Sequence, residues 1–214
     1  MEMAKAAGVF GLACCSAMSS PSAIAADAGW YAGVGVGQAR ATPDTGQITS
    51  ELQLVGFATA TMTTLDDRDT SYKFFGGYRF NRNFALEGGY FSLGSISYTA
   101  TTTGPAGTLA HNTKPQGLNL DAVVIFPVAG KLSAYGRLGV QHTETRNASS
   151  GTGAVLLLIP NPNTHETNYK VGVGAQYDLT TSVGLRAEWE RYRFNDSTST
   201  GDINVYSAGL LYKF

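Results

Sequence analysis

The chain has 214 residues with 15 Lys and Arg against 16 Asp and Glu, a formal net charge of −1 that offers no electrostatic footprint for nucleic acid. Charged residues make up only 14% of it, while Gly reaches 26 residues, Tyr 11 and Phe 10; ordinary soluble domains carry roughly 25% charge. Low charge with abundant Gly and aromatics suits a sheet that has one face against a non-aqueous medium.

Residues 1–26 read as a cleavable export signal. Lys5 is followed by an apolar run from Ala6 to Ala13, extended by Cys14, Cys15 and Ala17, and then by an A-x-A type site at Ala23-Ile24-Ala25. The stretch is shorter than the ~18 apolar residues of a spanning helix. Gly11-Leu12-Ala13-Cys14 lacks the bulky apolar residue that a lipoprotein signal wants three positions before the cysteine. Both cysteines fall in this segment, so the mature chain is expected to hold no disulfide, thiolate metal site or cysteine nucleophile.

Residues 27–214 read as one domain, because eight runs of period-two alternation follow and nothing resembles a linker, a heptad or a helical period. The first run, Trp30 to Ala41, sets Trp30, Ala32, Val34 and Val36 on one face and Gly33, Gly35 and Gly37 on the other. The second, Ser71 to Phe80, shows Tyr72, Phe74, Gly76, Tyr78 and Phe80 on its apolar side, and the third runs from Phe84 to about Tyr98. Leu118 to Phe126, Leu132 to Thr143, Tyr169 to Leu179 and Val183 to Phe194 follow, and Ile203 to Phe214 is the eighth.

The connections alternate in length. Asn81-Arg82-Asn83, Pro127 to Lys131 and Thr180-Thr181-Ser182 are short, whereas Thr42 to Thr70, Thr99 to Gly117 and Glu144 to Asn168 are long and polar; Asn195 to Asp202 is intermediate. Short turns at one end and long loops at the other are the signature of an outer-membrane barrel, and the even strand count agrees. Backbone polar groups in hydrocarbon must all be paired, so the sheet must close. The expected fold is therefore all-β: an eight-stranded antiparallel up-and-down transmembrane barrel. A soluble ligand-binding barrel of lipocalin type is the alternative, with apolar residues inside and charges outside.

If the apolar face meets lipid, alternation sends Lys73, Arg79, Glu87, Asp121, Arg137, Lys170, Asp178, Arg186, Glu188 and Glu190 inward. An eight-stranded barrel is only wide enough to be filled by side chains, and unpaired charge in a dry space is costly. An ion-pair network is expected from Lys73, Glu87, Asp121, Arg137, Lys170, Arg186 and Glu188. Arg79, Asp178 and Glu190 are allotted to the wet ends. Inward glycines such as Gly33, Gly77, Gly139, Gly172 and Gly184 make room for the long side chains.

The last residues, with Gly209, Tyr212 and the terminal Phe214, resemble the C-terminal assembly signal of bacterial outer-membrane barrels, read by the barrel-assembly machinery. The whole mature chain resembles the OmpA-like transmembrane-domain family of small eight-stranded outer-membrane β-barrel proteins. The carrying residues are Gly76-Gly77-Tyr78-Arg79-Phe80, Phe84-Ala85-Leu86-Glu87-Gly88-Gly89-Tyr90, Tyr135-Gly136-Arg137-Leu138-Gly139, Leu185-Arg186-Ala187-Glu188-Trp189 and Tyr212-Lys213-Phe214. The resemblance implies a gating salt-bridge network at Glu87, Arg137, Arg186 and Glu188. It also sets apart full-length members, which carry a peptidoglycan-binding domain after the barrel that this sequence is expected to lack.

The expected function is a structural and surface-interaction role in the outer membrane of a Gram-negative bacterium, through the long outer loops, with the lumen plugged. Partners are outer-membrane lipid and lipopolysaccharide, with host-surface or phage contact by the loops; the barrel is expected to be monomeric. The apolar run Val155, Leu156, Leu157, Leu158 and Ile159 is the candidate contact, and Leu52 to Phe57 is a second apolar loop segment; the bland alternative is that both prolong strands above the membrane. A narrow porin-like channel is the alternative function. A lipid A-modifying enzyme is a weaker one, since catalysis of that kind needs Ser beside an oriented His, and His111, His142 and His165 read as solvated loop histidines. No cofactor or metal pattern is present.

Overall fold

The computed structural model describes residues 28–41, 60–103, 106–153, 163–195 and 200–214. The export signal and the loop segments 52–57 and 155–159 lie outside the described residues. Ten strands follow in chain order: β1 Gly29–Ala41, β2 Ala60–Asp66, β3 Arg68–Arg79, β4 Phe84–Ser92, β5 Ile96–Thr103, β6 Ala106–Ala129, β7 Leu132–Gly153, β8 Thr164–Asp178, β9 Val183–Asn195 and β10 Thr200–Lys213.

Eight of these close a ring in the order β1-β3-β4-β6-β7-β8-β9-β10, with β10 returning to β1 and every contact antiparallel. The seam pairs Val34 with Leu210 and Gly35 with Gly209, and Phe214 N–H donates to the Trp30 carbonyl at 3.0 Å. Closure leaves the ring without a free edge, as a sheet in hydrocarbon requires.

The distribution of side chains is inverted relative to a soluble domain. Trp30, Val34, Phe74, Phe84, Leu118, Leu138, Val173, Leu210 and Phe214 are exposed, whereas Glu87, Asp121 and Glu190 are 0% exposed. A lipocalin-type barrel would show the reverse. Aromatic residues gather at the two rims: Trp30, Tyr78, Phe80, Tyr212 and Phe214 near the short turns, Tyr72, Tyr90, Tyr169, Trp189 and Tyr206 near the long loops. These are the interfacial girdles of a membrane barrel.

The single run expected from Phe84 to Tyr98 is two strands. The break is at Gly94, whose φ of 77° is a left-handed conformation open to Gly without strain. Asp69 Oδ2 fixes it by accepting from Ser95 N–H at 2.6 Å. From there β5 leaves the barrel and pairs with the first half of β6, while β2 pairs with β5. The described parts of the long connections are thus largely strand, not loop: β6 and β7 stay paired from Ala129 and Leu132 to Gly107 and Gly153. A four-stranded sheet in the order β2-β5-β6-β7 stands on the outer rim.

Candidate functional site in the barrel lumen

Eight ionisable side chains from six strands converge at mid-height inside the ring: Lys73 on β3, Glu87 on β4, Asp121 on β6, Arg137 on β7, Lys170 on β8, and Arg186, Glu188 and Glu190 on β9. All are buried. The register explains how so many long side chains fit. Each charge stands directly across a ladder from a glycine: Lys73 from Gly35, Glu87 from Gly77, Asp121 and Lys170 from Gly139, Arg137 and Glu190 from Gly172, Glu188 from Gly174, and Arg186 from Gly209. A missing Cβ on one strand is the space into which the neighbouring chain extends.

Arg137 is the hub. Its Nη2 lies 3.1 Å from Glu87 Oε2 and 3.0 Å from Glu188 Oε1, and its Nη1 lies 3.2 Å from both Asp121 Oδ2 and Glu190 Oε1. Lys170 Nζ reaches Asp121 Oδ2 and Glu190 Oε1 at 3.0 Å each. Lys73 Nζ donates to Glu190 Oε2 at 2.9 Å and also pairs with Glu188. Arg186 Nη1 donates to Glu87 Oε1 at 2.7 Å, and its Nε donates to Gln176 Oε1 at 3.0 Å. Tyr31 and Tyr135 hydroxyls donate to Glu87 Oε1 at 2.7 Å and Glu188 Oε1 at 2.5 Å. Four bases meet four acids, so the network closes at zero net charge, the condition under which buried charge is tolerable.

Apolar layers seal it on both sides. Tyr31, Phe75, Ala85, Val123, Ile125, Tyr135 and Leu211 pack toward the short-turn end. Ala39, Ala41, Phe91, Leu93, Tyr192, Ile203 and Val205 pack toward the long-loop end. The Arg186 guanidinium lies 5.0 Å from the ring centroids of both Phe75 and Tyr135, and Lys170 Nζ 4.8 Å from that of Tyr192, so the plugs also carry cation–π contacts. A cavity beside Lys73, Glu190, Phe91 and Tyr192 measures about 10 Å3, no more than about one water-sized sphere.

Glu190, expected at a wet end, is instead central, bonded to Lys73, Lys170 and Arg137. β9 runs on to Asn195, which puts Glu190 near its middle. Asp178 does lie at the rim, where it pairs with Lys213 Nζ at 2.6 Å, and Arg79 is half-buried at the same end. The tyrosines of the plugs were missed, although Tyr31, Tyr135 and Tyr192 share the parity of the inward charges. Tyr212 and Phe214 sit on the exposed face of β10 with rings 5.2 Å apart, and Gly209 faces inward at the seam.

The histidines are not loop residues. His111 lies on β6, half-buried, with Nδ1 2.7 Å from Ser149 Oγ and Nε2 2.8 Å from Thr113 Oγ1; burial holds its imidazole below the ordinary histidine value. His142 and His165 stack at 6.1 Å on the outer face of β7 and β8. Among the described residues no group of three or more His, Cys, Asp or Glu is arranged to hold a metal ion.

The fold has counterparts in known proteins. Residues 10–214 match the outer membrane protein beta-barrel domain family. This chain belongs to that family. Its curated relatives include outer membrane protein A of Salmonella typhi, 28% identical over 148 residues, which cover 65% of this chain and 39% of the relative. This chain thus spans about two-fifths of the length of that relative. Among solved structures, Neisserial surface protein A aligns with a TM-score of 0.53 at 18% identity, covering 87% of this chain and 99% of that one. The N-terminal β-barrel domain of Pseudomonas aeruginosa OprF aligns at 0.51 and 15% identity, covering 87% and 98%. As a member of the outer membrane protein beta-barrel domain family, the chain is an OmpA-like barrel of the Gram-negative outer membrane.

Proposed function

We propose that this chain is a structural and surface-interacting barrel whose lumen is closed at rest and whose contacts with the outside are made by the long-loop end. The observation that carries the reading is the layered lumen. A neutral eight-residue ion network between two apolar plugs leaves no aqueous path at mid-height among the described residues. The rim sheet of β2, β5, β6 and β7 supports it, because a quiescent lipid anchor has no use for strands prolonged so far above the membrane. Residues 1–26 act as the export signal, and β10 with Tyr212 and Phe214 presents the barrel to the assembly machinery. The barrel acts as a monomer.

A narrow channel is the second reading, and one feature favours it. Among the described residues Arg137 Nε and Asp121 Oδ1 have no hydrogen-bond partner. A partly satisfied network is easier to rearrange than a complete one.

The surface role is tested on cells. Deleting Val155 to Ile159 is expected to reduce adhesion or autoaggregation at least several-fold while leaving the amount of folded barrel unchanged. Adhesion that survives the deletion at the wild-type level contradicts the surface role of that segment.

A further inference from the structure

We propose that the outer rim carries a cationic collar that binds the phosphates of lipid A, the bisphosphorylated glycolipid of the outer leaflet; the inference rests on the reading that the long-loop end faces outward. Between the two girdles the outward face of the ring holds no ionisable Lys, Arg, Asp or Glu among the described residues. Within four residues beyond the outer girdle it changes abruptly. Arg40, Arg68, Lys114, Arg146, Arg191 and Arg193 all stand on outward positions of β1, β3, β6, β7 and β9.

Two pairs make this more than a solvated polar rim. Arg40 stands directly opposite Arg68 across β1 and β3, and Lys114 directly opposite Arg146 across β6 and β7. Like charges directly opposite one another destabilise a ladder. Each pair has one carboxylate for two cations. Asp67 lies 3.7 Å from both Arg40 Nε and Arg68 Nε, and Glu144 lies 3.1 Å from Arg146 Nε. Lys114 is exposed and has no carboxylate partner among the described residues. Among the described residues each pair therefore leaves one positive charge unanswered, at 50–61% side-chain exposure for Arg40, Arg68 and Arg146.

Position supplies the occupant. Leu118 and Tyr90 mark the girdle on β6 and β4, and Lys114 precedes Leu118 by four residues, on the long-loop side. At ~3.4 Å per residue and a ~40° tilt that is roughly 10 Å above the girdle, the level of phosphorylated headgroups. A phosphate bridging Lys114 and Arg146, or Arg40 and Arg68, supplies the missing anion, and guanidinium is suited to bidentate phosphate contact. The acyl chains of the same lipid then lie along the apolar outward face of Leu118, Val140 and Val36.

The test is lipid binding by the refolded full barrel in zwitterionic micelles, titrated separately with bisphosphorylated lipid A, its dephosphorylated form and phosphatidylglycerol. Wild type is expected to bind bisphosphorylated lipid A at least tenfold more tightly than either other lipid. Lys114→Gln with Arg146→Gln, and Arg40→Gln with Arg68→Gln, are each expected to weaken that binding by roughly tenfold or more, and the dephosphorylated lipid should not distinguish wild type from the variants. Equal affinity for the dephosphorylated lipid, equal affinity for phosphatidylglycerol, or variants that bind like wild type would each overturn the collar. The three-lipid comparison on wild type decides the matter even if a variant fails to refold. Micelles present no cell or host surface, so a failure here stays distinct from a failure of the adhesion test.

Discussion

Replacing Arg137 by Met is expected to cost more stability than any other single change in the lumen, about 3–5 kcal/mol, read as a lower midpoint of unfolding in urea or on heating. Met preserves most of the volume, so the loss reports charge rather than a cavity. The guanidinium is shared by Glu87, Asp121, Glu188 and Glu190 at 3.0–3.2 Å. Without it, four carboxylates face three cations, Lys73, Lys170 and Arg186, in a space sealed by Tyr31, Phe75 and Tyr135 on one side and Phe91 and Tyr192 on the other. Water cannot enter to solvate the excess charge. Adding Glu188→Gln to Arg137→Met rebalances the lumen at three against three and is expected to recover at least ~1 kcal/mol of the loss, a coupling that a double-mutant cycle measures directly. A loss below about 1 kcal/mol for Arg137→Met alone would mean that the network is solvated and does not seal the barrel.

Gly209→Val is expected to prevent closure of the ring. Gly209 sits at the seam opposite Gly35 on β1 and Arg186 on β9. A Cβ there would stand 2.5 Å from the Val34 carbonyl oxygen and 3.2 Å from Gly35 Cα. Both are backbone atoms, so no rotamer change relieves the contact, and the cost lies at or above the top of the ~1–3 kcal/mol range of ordinary overpacking. The expected result is a protein that migrates as unfolded in an unheated gel. Gly76→Val is the control. Its Cβ meets nothing nearer than the Tyr31 carbonyl oxygen at 3.8 Å and points outward, so the folded band should persist. Folding of Gly209→Val at wild-type yield would show that β1 and β10 do not approach as closely as the register requires.

The ring was legible in the sequence because each strand has lipid on one side and a filled lumen on the other, and that contrast writes itself as strict alternation. Tyr72, Phe74, Gly76, Tyr78 and Phe80 on β3 are a clear instance. In the rim sheet of β5 and the outer halves of β6 and β7 both faces are largely polar, the contrast ends, and alternation ends with it. Thr99-Ala100-Thr101-Thr102-Thr103 carries no clear alternation, yet it is the outer part of strand β5, held by its ladder to Ala106–Ala110 of β6. The same loss of signal hid the outer halves of β6 and β7. Inside the lumen, parity alone assigns Glu87, Asp121, Arg137 and Arg186 to the interior. Which charge meets which partner depends on the stagger between strands, and that stagger is not written in any one strand. The pairing of every charge with a glycine across the ladder, Lys73 with Gly35 or Asp121 with Gly139, therefore emerges only once the register is known.

Planar-bilayer recording of the refolded barrel tests the closed lumen most directly. Wild type is expected to show no steady openings, or only brief ones of small conductance. Arg186→Ala is expected to raise both their frequency and their size, because it removes the Glu87 partner and the cation packed against Phe75 and Tyr135. Large and steady conductance from the wild-type barrel would contradict the account.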